Sequence, residues 1–102
     1  MSATGPERFK VFIPGRWMDE LRVLKAEARR DGWAPELLAS MKELDYRLTV
    51  EPDEWGESRE YLPVLQLEVR FGVAGVVTVW YAVDVVARSV YVKRIGARNR
   101  PG

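Results

Sequence analysis

The stretch VLQLEVRF, Val64 to Phe71, alternates without a slip. Leu65, Leu67, Val69 and Phe71 fall on one side; Gln66, Glu68 and Arg70 fall on the other. Period-2 alternation predicts a half-buried strand with its apolar side toward a core and its polar side outward. That outward side is either only solvated or a place for chemistry. Upstream, FKVFIP puts Phe9, Val11 and Ile13 on one face and Lys10 and Phe12 on the other, a short strand stopped by Pro14 and Gly15. Downstream, VVTVWYAVDVV, Val76 to Val86, is apolar on both faces until Asp84, as expected of a central strand packed on both sides. SVYVKRI, Ser89 to Ile95, predicts the last strand. GVAG and the Ala87-Arg88 region supply turns, and such short connections require antiparallel neighbours.

Between the first strand and the rest, the period changes. Trp17, Leu21, Leu24 and Ala28 form one helical stripe, and Gly32 is placed to end it. WAPELL starts a second helix, with Pro35 where its missing N–H costs nothing; Leu37, Met41, Leu44 and Leu48 continue the stripe until Pro52. Residues 52–63, PDEWGESREYLP, have no period and read as a loop that Trp55 plugs onto the body. The predicted fold is therefore α+β, a helical hairpin on one face of a small, mostly antiparallel sheet in the order β-α-α-β-β-β. One domain spans residues 9–95, between an N-terminal arm (1–8) and a basic tail (96–102). Trp80 shares a face with Thr78 and Ala82; the sheet-to-helix core is the expectation, and an outward anchor for a partner is the alternative.

The composition narrows the chemistry. The chain of 102 residues contains no cysteine and no histidine. Disulfides, thiolate nucleophiles, His-based triads and His-ligated zinc are thereby excluded. Asp53, Glu54 and Glu57 match no known metal cage and read as a solvated acidic loop. With no phosphate-binding glycine loop either, no cofactor and no metal are expected. No apolar run reaches the roughly 20 residues of a membrane span, and the first ten residues lack the apolar middle of a signal peptide. A cytoplasmic location follows as the expectation. Net charge is +1, but residues 1–69 carry ten Lys/Arg against fourteen Asp/Glu, whereas residues 70–102 carry six against one. This asymmetry marks either an anion-binding side or an exposed basic tail.

The closing segment VVTVWYAVDVVARSVYVKRIG, together with EPDEWGES followed by LP and a strand, resembles the RelE/ParE superfamily of bacterial toxin–antitoxin and plasmid-stabilisation systems. The resemblance spans roughly residues 9–98. It implies a small toxin-type protein with a concave basic sheet surface, held inactive by a cognate antitoxin that wraps around it. RelE-like members cleave messenger RNA on the ribosome with Lys, Arg and Tyr; ParE-like members poison DNA gyrase. The 2′-hydroxyl of RNA is the nucleophile in the first case, so a chain without histidine is compatible with it.

Carried across by position, the resemblance implies a depleted catalytic set. The two outward lysines of the family's ribonucleases fall at Gln66 and Glu68, and Glu68 has the wrong sign for a phosphate. Arg70 matches, Arg98 matches an arginine just past the last strand, and Tyr81 matches a mainly structural tyrosine. The arginine before that tyrosine falls at Thr78 or Val79, and the C-terminal tyrosine has no counterpart. Arg70, Arg98 and Tyr81 are the catalytic candidates. Arg70, Lys93, Arg94, Arg98 and Arg100 are the candidates for holding nucleic acid or antitoxin. Arginine stays protonated and is a poor general base. The expectation is a protein that acts by binding, with a cognate antitoxin and a macromolecular target such as DNA gyrase as partners. The alternatives are an mRNA endonuclease with a rearranged Arg/Lys/Tyr site and a non-toxic interaction domain. Open sheet edges suggest a weak homodimer.

Overall fold

The computed structural model describes residues 8–98. The predicted arm, Arg8 excepted, and the tail from Asn99 onward, with Arg100, lie outside the described residues. The helical stripes form as their spacing requires. Helix α1, Gly15–Asp31, buries Leu21, Leu24 and Ala28 and ends at Gly32, whose φ of 83° is the left-handed cap. Helix α2, Ala34–Val50, begins with Pro35 in its first turn and buries Leu37, Leu44 and Leu48.

Five strands make one sheet: β1 (Lys10–Phe12), β2 (Glu57–Leu62), β3 (Leu67–Ala74), β4 (Val77–Asp84) and β5 (Ser89–Ala97). Their order across the sheet is β1-β5-β4-β3-β2. β1 runs parallel to β5, and the other three pairings are antiparallel. Both helices pack on one face, over Val77, Val79, Tyr81 and Val83 of β4 and Val90, Val92 and Ile95 of β5. The α+β class and the helical hairpin are as the sequence predicts; the sheet is mixed and has one strand more. No helix among the described residues is long and apolar enough to cross a membrane.

Four expectations are corrected. The loop predicted over residues 52–63 is half strand. Glu57–Leu62 lies on the sheet edge, where charged side chains are tolerated because one flank meets water, so no apolar period announces it. The strand predicted over Val64–Phe71 is shifted. Gln66 sits in a turn at φ 53°, and β3 continues through Gly72 and Ala74 to a tight turn at Gly75.

The third correction is that the faces of β3 are exchanged. Arg70 pairs with Tyr81, Gly72 with Val79 and Ala74 with Val77, which places Glu68, Arg70, Gly72 and Ala74 on the helix-covered side. Leu67, Val69, Phe71 and Val73 lie on the opposite side. The reason is steric. A Cβ at Gly72 would stand 2.4 Å from the Trp55 ring, and one at Gly75 would stand 2.2 Å from the Ser40 hydroxyl of α2. Only the small residues of this segment fit beneath the helix and the Trp55 loop. By the same register Trp80, expected in the core, stands on the uncovered side beside Phe71.

A candidate binding face and a buried arginine latch

Arg70 is not an outward cation. It is buried, and each of its three guanidinium nitrogens is engaged within the chain. Its Nε donates to the Trp55 carbonyl at 2.8 Å, one terminal nitrogen donates to the Gly56 carbonyl at 2.9 Å, and the other pairs with Glu68 at 2.8 Å. Glu68 also accepts the Ser58 hydroxyl at 2.6 Å. Burial raises the Glu68 carboxyl, but Ser58 and Arg70 together outweigh it and hold the group below its usual range. Tyr81, opposite Arg70, has its one hydroxyl proton shared between the Pro52 and Trp55 carbonyls, each 2.8 Å away. Its ring stacks on Trp55, 5.8 Å between centroids. Burial pushes the phenol up to about 12, with Arg70 opposing. These contacts tie the segment from Pro52 to Gly56 to the inward face of the sheet. Trp55 plugs the loop onto the body, as its place in the sequence suggests.

The remaining candidates do not join this group. Lys93 and Arg94 are exposed on β5, and Arg94 lies opposite Trp80 on the uncovered face. Arg98 is exposed just past β5, where its backbone N–H donates to the Val76 carbonyl at 2.8 Å. The sheet itself therefore separates Arg70 and Tyr81 from Arg94. No single surface collects Arg70, Tyr81 and Arg94 around a phosphate. Glu68 is part-exposed, and its carboxylate is engaged by Arg70 and Ser58 rather than standing free. Asp53, Glu54 and Glu57 assemble no site either: among the described residues no group of three or more acidic side chains is arranged to hold a metal ion.

The uncovered face carries the other organised feature. Phe71 and Trp80 sit 5.0 Å apart on neighbouring strands, and Phe12 stacks on Tyr91 at 5.4 Å. Arg59 lies over both Phe71 and Trp80, at 5.5 and 5.6 Å, while pairing with Glu57 at 3.0 Å. Lys10 and Arg94 share this face by register. Phe12 is 49% exposed and Tyr91 41%. A flat surface of aromatic rings bordered by cations offers stacking, cation–π contact and apolar area to a partner.

Sequence reasoning did not assemble this face because it favoured Trp80 inward, with the outward anchor only as the alternative, and read Arg59 as loop. One signal was present: Phe12 shares the polar side of its strand with Lys10. The edges that suggested a homodimer are poor pairing surfaces. β1 is three residues long, and β2 is charged and bulged between Ser58 and Glu60. No protein-family model matches the chain, and neither a curated protein nor a solved structure matches it.

Proposed function

We propose that this protein is a binding component of a bacterial toxin–antitoxin pair of the RelE/ParE kind, acting by holding a partner protein rather than by hydrolysis. The observation that carries this reading is the uncovered sheet face, with Phe12–Tyr91 and Phe71–Trp80 as two ring pairs and Arg59, Arg94 and Lys10 around them. Such a face suits a cognate antitoxin or a macromolecular target, since aromatic and arginine side chains are the usual anchors of interfaces. What speaks against hydrolysis is the fate of Arg70 and Tyr81. The first spends its donors on backbone carbonyls and Glu68, and the second is a buried phenol with its proton held.

The test is controlled expression in bacteria, with and without the neighbouring gene, read as growth and transcript integrity, alongside recovery of partners on the tagged chain. Growth arrest with intact transcripts, relieved by a neighbouring protein that co-purifies, is expected. A Trp80→Ala, Tyr91→Ala double variant should lose the partner while keeping its fold. Unimpaired growth with no partner recovered would sink the reading.

A second reading is binding of single-stranded nucleic acid, favoured by the alternation of rings and cations on the same face. Fluorescence anisotropy with labelled single-stranded RNA separates the two. Salt-dependent binding lost in the same double variant would favour RNA, and cleavage of that RNA would restore the endonuclease alternative.

A further inference from the structure

A second surface lies wholly on the helical layer and uses none of the residues above. A cavity of about 380 Å³ opens between α1 and α2, lined by Lys25 and Arg29 from the first helix and Ala34, Leu37, Leu38 and Met41 from the second. The four α2 residues follow the i, i+3, i+4, i+7 spacing of a single stripe. Leu37 turns into the core, whereas Leu38 remains 58% exposed. The stripe runs for roughly 10 Å, about two helical turns.

The two charged residues lining the groove are both cations. Arg22 pairs with Asp19, Arg30 with Asp31, and Arg47 with Glu43 and Glu51. Lys25 and Arg29, four residues apart on one face of α1, have no acidic partner among the described residues. An apolar floor with two cations along one wall is complementary to a helix that places apolar side chains inward and two acids four residues apart on its flank. A second copy of this chain fits less well. With the two-fold axis across the groove, Lys25 and Arg29 of both copies meet; with the axis along it, each cation pair faces the apolar α2 wall of the other copy, whose lining supplies no acid to meet it.

We infer that this groove docks an acidic amphipathic helix of another protein, and that it does so while the uncovered sheet face remains free. This surface is independent of the one that carries the proposed function, so either can fail alone.

The probe is a fluorescein-labelled synthetic helix of about twelve residues, with leucines at the i, i+3, i+4 and i+7 positions and a glutamate pair on one flank. Its control carries lysines in place of the glutamates. Titrated with the full chain, the acidic peptide is expected to bind saturably in the micromolar range and the control not to bind. Lys25→Glu with Arg29→Glu should weaken the acidic peptide by at least about tenfold and admit the lysine peptide, since each long-stemmed cation is exposed and its reversal leaves the core intact. Leu38→Asp should abolish binding. Amide shifts in the labelled protein should fall on α1 and α2. No saturable binding of the acidic peptide, equal binding of both peptides, or shifts centred on β3 to β5 would overturn the inference. A dimer that Leu38→Asp converts to monomer would overturn it in favour of a second copy. Should Leu38→Asp fail to fold, the charge-reversal pair decides.

Discussion

Arg70 and Tyr81 stand opposite each other on β3 and β4, and both donate to the same acceptor, the Trp55 carbonyl, each at 2.8 Å. A loop carbonyl thereby gains two side-chain donors from adjacent strands. The segment leaving α2 is held against the sheet by backbone-directed hydrogen bonds, not by apolar burial alone. An arginine that looks like an anion-binding group in the sequence is, in the fold, a structural clamp.

Arg70→Ala should therefore destabilise the chain by about 3 kcal/mol, because it removes charge-assisted bonds and leaves carbonyls and a carboxylate unpaired. Arg70→Lys should recover only part of this, since a lysine cannot reach two carbonyls and Glu68 with a planar fork. Urea unfolding followed by tryptophan fluorescence measures both. A neutral Arg70→Ala would show that the clamp contributes nothing.

Glu68 predicts the acid limb of stability. Its folded value lies below the ordinary 4.5, so its contribution is fully present above the unfolded value and is lost as pH falls through the lower, folded one. Urea midpoints collected from neutral pH to about pH 3 should fall less steeply in Glu68→Gln than in the wild type. Glu68→Lys, which would add a cation to an outward RNA-binding face if one existed here, should instead lower stability by placing like charges beside Arg70, with no gain in RNA binding.

Tyr81 predicts the alkaline limb. Its phenol is pushed from 10.0 to about 12 by burial, so the unfolded chain releases this proton first. Stability should fall as pH rises from about 10 to about 12 and level off above that, where both states are ionised. Tyr81→Phe should remove this decline, together with a late tyrosinate step in ultraviolet absorbance, while costing about 1 kcal/mol at neutral pH for the lost hydroxyl bonds.

Gly72→Ala should cost roughly 1–3 kcal/mol, since its Cβ would overlap the Trp55 ring. The penalty should shrink when Trp55 is also reduced to Leu. Additive losses in the double variant, measured by urea unfolding, would show that the two residues do not compete for one space.

Both helices were legible because each buries one stripe, and a stripe at period 3.6 is written locally, down to Pro35 at one start and Gly32 at one end. The apolar strands were legible as strands for the same reason at period 2. β2 was not, because an edge strand of charged residues has no apolar period, and its pairing depends on β3 being there.

Local alternation fixes that Glu68 and Arg70 share a face and that Val69 and Phe71 share the other. It cannot say which face meets the helices, because a strand rotated by half a turn has the same pattern. Packing made that choice. Gly72 and Ala74 are the residues small enough to lie under α2 and Trp55, and choosing them carried Arg70 inward along the same strand. The same choice turned Phe71 and Trp80 outward, so the clamp and the open aromatic face are two sides of one register, set by which side chains the helical layer had room to cover.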